Sequence, residues 1–318
     1  MNWLIKRMRR LWRNRLRQLL GMLAIPLLLT DGSWLYLRPP EGNLNGPPLL
    51  LVHGWAASSG TWGAGDNLAR DLTNRRYAVW RLDWSESPRL RREACDLGRF
   101  LVDGGYSIQD SVVELAAGIA AVAQLSGGRP ITVVTHSTGG LMPLALYNDP
   151  AFEDDLPAPL GRIRELPLTF DRAMVERVVM LAVPTHGAAG AGNRLFLIPA
   201  YLPSYSDYLV EQLLLHDHSS PDGTPYVDYL RQQPLDSEVD WFTVWSRDDT
   251  FVINTEPPLP LSVWQKLEQY ESNQIEITTP GIHHMAVKSD ERAWMNYLPV
   301  LFPLVDLDEL EQREKNGE

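Results

Sequence analysis

Ile131-Thr132-Val133-Val134-Thr135-His136-Ser137-Thr138-Gly139-Gly140 is the stretch on which the reading of the fold depends. Its first four residues are all β-branched, the composition of a short strand buried on both faces. Leu141 onward suits a helix despite Pro143 in its first turns. A strand that runs almost directly into a helix must turn sharply, and a serine at the apex has its hydroxyl lifted out of the sheet. Gly139, two residues after Ser137, lets the backbones of that turn come close. On the preceding side, where glycine would be the easiest fit, stands Thr135. The helix that starts here directs its first backbone N–H groups toward any negative charge developing at the serine. Ser137 is therefore the candidate nucleophile, and the backbone N–H of Thr138 a candidate oxyanion donor.

Working outward, the same alternation repeats. Upstream, Leu49-Leu50-Leu51-Val52 is a continuous apolar run closed by His53-Gly54, and Tyr77 to Leu82 is the next buried strand candidate, reached through an expected helix around Trp62 to Leu72. Ser107, with Asp110 three residues on, caps an expected helix through Val112, Leu115, Ile119 and Val122 that Gly127-Gly128 stops. Downstream come Val178 to Val183, Trp241 to Trp245 and Gln274 to Thr278, each followed by a loop. The pattern predicts an α/β fold: a mostly parallel central sheet with helices on both faces and its functional loops at the carboxyl ends of the strands. Before it, Asp31-Gly32 reads as a two-residue hairpin turn between Leu27–Thr30 and Ser33–Leu37.

With 318 residues, 44% of them hydrophobic, the chain can bury one large core. One catalytic domain is expected over 26–305, with an insertion at about 187–238 forming a cap and an acidic solvated tail at 306–318. The net charge is −11. Residues 1–18 carry Lys6, Arg7, Arg9, Arg10, Arg13, Arg15 and Arg17 and no acid, so the remainder is more acidic still, which argues against nucleic acid as a partner. Cys95 is the sole cysteine, which excludes an intrachain disulfide. Residues 1–25 show apolar positions at helical period with arginines between them, a basic amphipathic helix. It would dock on its own domain or lie on an anionic membrane through residues 1–24. The apolar run at 19–29 is too short to span a bilayer as a helix and lacks a small-x-small cleavage site, and cleavage would remove half the hairpin. The expected compartment is the cytoplasm, with peripheral membrane contact; export and N-terminal anchoring stay open. The sequence does not specify an oligomeric state.

Val52-His53-Gly54-Trp55-Ala56-Ala57-Ser58, His136-Ser137-Thr138-Gly139-Gly140 and Val183-Pro184-Thr185-His186-Gly187 resemble segments of bacterial lipases and esterases of the α/β-hydrolase superfamily. The resemblance covers roughly residues 25–300 in motif order. It implies ester hydrolysis through an acyl-enzyme, with thioesterases, amidases and transferases also in the superfamily. It also implies a triad in the chain order serine, acid, histidine. His283 and His284 follow the last expected strand; His284-Met285-Ala286-Val287 fits the pattern of a histidine followed by small and aliphatic residues, so His284 is the preferred base and His283 its alternative. In Ser246-Arg247-Asp248-Asp249-Thr250-Phe251-Val252 the acid is preferred at Asp249, three residues before an aliphatic, with Asp248 as the alternative that would bind loop N–H groups. The loop after Val183 holds no carboxylate directly beyond it. Trp55 is the second expected oxyanion donor through its backbone N–H.

The expected substrate is an acyl ester or another apolar acyl compound. Phe196, Tyr201, Tyr205, Tyr208, Leu213-Leu214-Leu215, Tyr226 and Tyr229 furnish the insertion, most of them as packing between cap and body. His216-Asp217-His218 lacks a third ligand at a telling spacing, so neither a metal nor another cofactor is expected. A thioesterase or acyltransferase with the same triad, and a non-catalytic interaction protein of this fold, are the alternatives.

Overall fold

Ten strands form one sheet in a computed structural model that describes residues 24–40, 44–55, 57, 59–62, 67–84, 107–154, 156–188, 209, 212–252, 259 and 273–306. In chain order they are β1 (Ile25–Leu29), β2 (Trp34–Arg38), β3 (Pro48–Val52), β4 (Ala78–Asp83), β5 (Ile131–His136), β6 (Gly161–Ile163), β7 (Leu166–Leu168), β8 (Val175–Leu181), β9 (Asp240–Ser246) and β10 (Gln274–Ile277). Their order across the sheet is β10-β9-β8-β5-β3-β4-β2-β1-β6-β7. The strands from β10 through β4 pair parallel, and β2, β1, β6 and β7 extend that edge antiparallel. The expected mostly parallel sheet is what forms, with β5 between β3 and β8 inside its parallel part. Residues just past these three strands therefore meet above the sheet's carboxyl edge.

Alternation along the strands sorts the core into two faces. Leu50, Val52, Leu82, Val133, Val178 and Met180 join one apolar cluster with α2 (Ile108–Leu125) and α3 (Leu141–Asn148). Leu49, Leu51, Val79, Val134, Val179 and Leu181 join the other with α1 (Asn67–Asn74) and α5 (Glu291–Leu301). Strands buried on both faces are apolar at most positions, which is why they read as near-continuous apolar runs.

α2 begins in a capping box: Ser107 Oγ accepts from the Asp110 N–H (3.1 Å), and Asp110 Oδ2 accepts from the Ser107 N–H (2.8 Å). It is the one described helix long and apolar enough to cross a membrane, and 72% of that span is buried inside the protein, as befits a core helix. Gly118 lets it close on the sheet, since a Cβ there would stand 2.8 Å from Leu82 Cδ1.

Four expectations are corrected. The hairpin at Asp31-Gly32 has a three-residue loop, not two: Leu27 pairs with Leu35 and Ile25 with Leu37, which centres the turn on Asp31. Gly32 takes φ +83° after a turn closed by Gly32 N–H to Leu29 O (3.0 Å). Register explains the difference, because a two-residue loop would shift one strand by one position and turn buried Leu27 and Leu29 away from the face they share with Leu35 and Leu37. The helix expected around 62–72 starts later, as a short 3₁₀ turn at Ser59–Trp62 precedes α1. The expected boundary at residue 26 moves back by one, because Ile25 already belongs to β1. Finally β6 and β7 were not anticipated; at three residues each they show no period of two, and β6 is held by pairing with β1.

Of the insertion at 187–238, α4 (Tyr226–Gln232) and its flanks are described. Leu213, Tyr226 and Tyr229 are buried in the cluster that holds α2 and α3, and the Tyr226 hydroxyl donates to Asp149 Oδ2 (2.5 Å), so these residues pack onto the body. Residues 1–23 of the helix expected over 1–25, Cys95, Phe196, Tyr201, Tyr205, Tyr208 and the tail beyond Asp306 lie outside the described residues.

Candidate active site

At the end of β5 the chain turns through a 3₁₀ turn, Ser137–Gly140, and enters α3. Ser137 sits at φ +57°, a left-handed conformation that costs a non-glycine residue on the order of 1–3 kcal/mol and is kept only where the surroundings enforce it. Three glycines supply that enforcement. A Cβ at Gly139 would stand 2.5 Å from His53 O, one at Gly140 2.1 Å from Val183 Cγ2, and one at Gly54 2.6 Å from Ser137 Cβ. Thr135 fits where a smaller residue was expected because Gly140 leaves room beside its Oγ1, which donates to Val179 O (3.3 Å).

The side chains proposed for the triad meet in series. Ser137 Oγ lies 2.8 Å from His284 Nε2, and His284 Nδ1 lies 2.8 Å from Asp249 Oδ2. A neutral imidazole that donates from Nδ1 to the carboxylate leaves Nε2 free to accept the serine proton. Asp249 is buried, and its other oxygen accepts from the backbone N–H groups of Phe251 and Val252 (3.0 Å each). That loop lets it face one direction only. Phe251 packs against the imidazole of His284, ring centroids 4.8 Å apart.

The neighbouring residues of each pair have other partners. Asp248 Oδ2 accepts from the Gly281 N–H (2.6 Å), and the His283 Nδ1–H donates to the Asp248 backbone carbonyl (2.8 Å). Both side chains are exposed and tie the loop after β9 to the loop after β10. Neither approaches Ser137 through a hydrogen bond.

Gly54, the residue before Trp55, lies against Ser137, and Thr138 is the serine's own neighbour in the chain. Trp55 is half-buried against the main cluster.

Two histidines that lie within the quoted motifs, His53 and His136, were given no role of their own by the sequence. The His53 Nδ1–H donates to Gly54 O (2.8 Å), its ring stacks on Trp84 at 5.2 Å, and Trp84 Nε1–H donates to His53 O (2.9 Å). Burial pushes its pKa down to about 4, with the nearby Asp83 carboxylate acting in the other direction. His136 is held well below the ordinary histidine value by burial first, then by the like charges of His284 and Lys288. The only signal for either in the sequence was adjacency to a motif glycine or serine.

In His216-Asp217-His218, Asp217 accepts from Ser219 Oγ (2.5 Å) and His218 Nδ1 pairs with Gly223 O (3.0 Å). Among the described residues no three ligating side chains cluster as a metal site.

Comparison with known proteins agrees with this architecture. The model of the alpha/beta hydrolase family matches residues 49–293, most of the chain. A chain from Acinetobacter baumannii assigned as a lipase superposes with a TM-score of 0.51 at 17% identity, covering 97% of both chains. The esterase RhEst1 from a Rhodococcus species gives 0.48 at 18% identity, covering 88% of this chain and 98% of its own. The mature lipase BlEst2 of Bacillus licheniformis gives 0.42 at 19%, covering 68% and 72%. At 17% identity the likeness to the Acinetobacter chain speaks for the fold alone, and the two superpositions below 0.5 add nothing to it. No curated protein matches the sequence. The family match spans β3, the serine turn and the loop that carries His284, and the chain belongs to the alpha/beta hydrolase family.

Proposed function

We propose that the protein is a serine hydrolase that cleaves carboxylic esters, in the manner of lipases and esterases, through an acyl-enzyme. The observation that carries this reading is the unbroken hydrogen-bonded series Ser137, His284, Asp249, with the serine held at positive φ on the strand-to-helix turn. Ser137 Oγ attacks the acyl carbonyl carbon as its proton passes to His284 Nε2, and Asp249 stabilises the resulting imidazolium. Backbone N–H groups of Trp55 and Thr138 hold the oxyanion. Collapse expels the alcohol, which takes the proton from His284; water then attacks the acyl-serine by the same route and releases the acid.

A fluorophosphonate probe and short p-nitrophenyl esters test this. Ser137 is expected to take the label, and Ser137→Ala to lose both label and hydrolysis; parental rates in that variant would sink the reading. Thioesterase and acyltransferase activities share the acyl-enzyme step, so matched ester and thioester series of varied chain length, with and without an added alcohol acceptor, separate them. An unlabelled, inactive parent protein would favour an interaction role for the fold.

For the cell, we propose a cytoplasmic protein that reaches the membrane surface through residues 1–24, whose arginines suit anionic headgroups. Co-sedimentation with anionic liposomes, full-length against a chain starting at residue 25, tests it; equal binding by the two would remove the idea.

A further inference from the structure

His136 is the last residue of β5 and the one before Ser137. Its side chain is buried, and the Nε2–H donates to the backbone carbonyl of His284 (3.0 Å), while the two rings lie 4.8 Å apart at 47°. Trp62 meets the His136 ring edge-on at 6.3 Å. Lys288, four residues beyond His284 and buried, lays its ammonium 4.7 Å over Trp62 and donates to Thr61 O (3.0 Å). The loop that carries His284 is thus gripped from behind at its carbonyl and again at Lys288.

We propose that His136 is a positioning residue for His284: its Nε2–H clamps the His284 carbonyl to the strand that carries Ser137, and so sets the separation of Ser137 Oγ and His284 Nε2. The inference rests on the serine-hydrolase reading above. Ser137 and His284 are 147 residues apart in the chain, and His284 lies in a loop, so nothing local holds them in register. Because His136 and Ser137 are consecutive, clamp and nucleophile move together. Reaction rates are steep in this geometry, since a misplacement of about 1 Å can cost about 100-fold.

The role requires His136 to be neutral with its proton on Nε2. Its surroundings favour that: burial penalises the cation, and the ionisable groups that bear on it, His284 from the loop after β10, Lys288 from the turn beyond it and His53 from the end of β3, all oppose a further positive charge. A neutral ring also adds no repulsion when the adjacent His284 becomes an imidazolium.

The test compares His136→Gln, whose amide can donate in place of Nε2–H and does not titrate, with His136→Leu. Expected are a kcat for the glutamine variant within about threefold of the parent, and a loss of about tenfold or more in kcat for leucine, with KM little changed, as one lost donor at the base should produce. Fluorophosphonate labelling should slow in parallel, and the pH–rate profile of the glutamine variant should coincide with the parent's. Parental kcat and labelling in the leucine variant would overturn the proposal, as would a glutamine variant as slow as leucine at the same melting temperature. Should either variant fail to fold, ¹⁵N spectra of ring-labelled histidine in the parent decide: an Nε2–H tautomer at His136, uncharged near neutrality, supports the clamp, and the Nδ1–H tautomer or a cation overturns it. Failure of the parent to label at Ser137 would instead remove the hydrolase reading, which separates the two outcomes.

Discussion

Gly54 lies directly against Ser137: a Cβ at position 54 would stand 2.6 Å from the serine Cβ and 3.1 Å from its Oγ, with His136 O at 3.0 Å. None of these atoms is the end of a flexible chain, so an alanine there must displace the turn. Gly54→Ala is expected to lower kcat/KM about 10- to 100-fold and stability by about 1–3 kcal/mol. Ester kinetics and thermal melting together check it; an alanine variant with parental kinetics would mean that the turn yields without moving the serine.

Two acids and two histidines stand side by side with different partners, and substitution tests whether their roles differ. Asp249→Asn and His284→Ala are expected to lower kcat by about 10³–10⁴. Asp248→Ala and His283→Ala each remove a loop tie that does not reach the serine and should cost less than about tenfold in kcat, with a fall of about 1 kcal/mol in stability. Steady-state kinetics on all four variants decides; a large kcat loss at Asp248 or His283 would reverse the assignment.

Acid sensitivity follows from His53 and His136. Burial lowers both pKa values in the folded protein, His53 to about 4 from an ordinary 6.5 and His136 well below that ordinary value. Between the folded and unfolded values the unfolded chain binds more protons, so stability rises with pH across the window. For His53 the contribution is complete above about pH 6.5 and is lost as pH falls toward 4, on the order of 3 kcal/mol; His136 acts in the same direction. Urea unfolding measured from pH 7 to 4 should show this slope, and His53→Gln should flatten part of it. A slope unchanged in that variant would assign the acid sensitivity elsewhere.

Asp83 anchors the approach to the site from the far side of His53. It is buried and accepts from Arg38 Nε (3.1 Å) and from both the N–H and the hydroxyl of Ser59, joining the ends of β4 and β2 to the turn at Ser59–Trp62. Asp83→Asn leaves Arg38 short of its counter-charge and is expected to destabilise by about 3 kcal/mol, read as a lower urea midpoint at an unchanged m-value. A midpoint within error of the parent would show the network to be dispensable.

Much of this architecture was legible because its strands are buried on both faces. Such strands cannot hide in the sequence: Leu49–Val52 and Val178–Leu181 are uninterrupted apolar runs, Ile131–Val134 is broken only by Thr132, and the structure places each in the sheet. The capping pair Ser107 and Asp110 likewise announced α2, since the cap is made by residues three apart. Elements held by remote partners were less visible. The short β6 and β7 are strands because β1 offers them an edge, and the hairpin at Asp31 takes its register from which leucines face the core.

What the sequence determined by itself was local: an alternating strand and helix order, a serine at a strand-to-helix turn with glycines behind it, and two candidates each for acid and base. Each of these depends on residues near one another along the chain, whose propensities and spacing act directly. The sequence preferred Asp249 and His284 by register, but only the tertiary structure brings those two, and not Asp248 and His283, into hydrogen-bonded series with Ser137, because adjacent residues differ in direction, not in composition. Asp249 turns inward because the N–H groups of Phe251 and Val252 bind one of its oxygens, while Asp248 is drawn outward to Gly281. His136 meets the loop of His284, and Lys288 just beyond that loop meets Thr61, in the same way, through packing that brings together residues far apart in the chain.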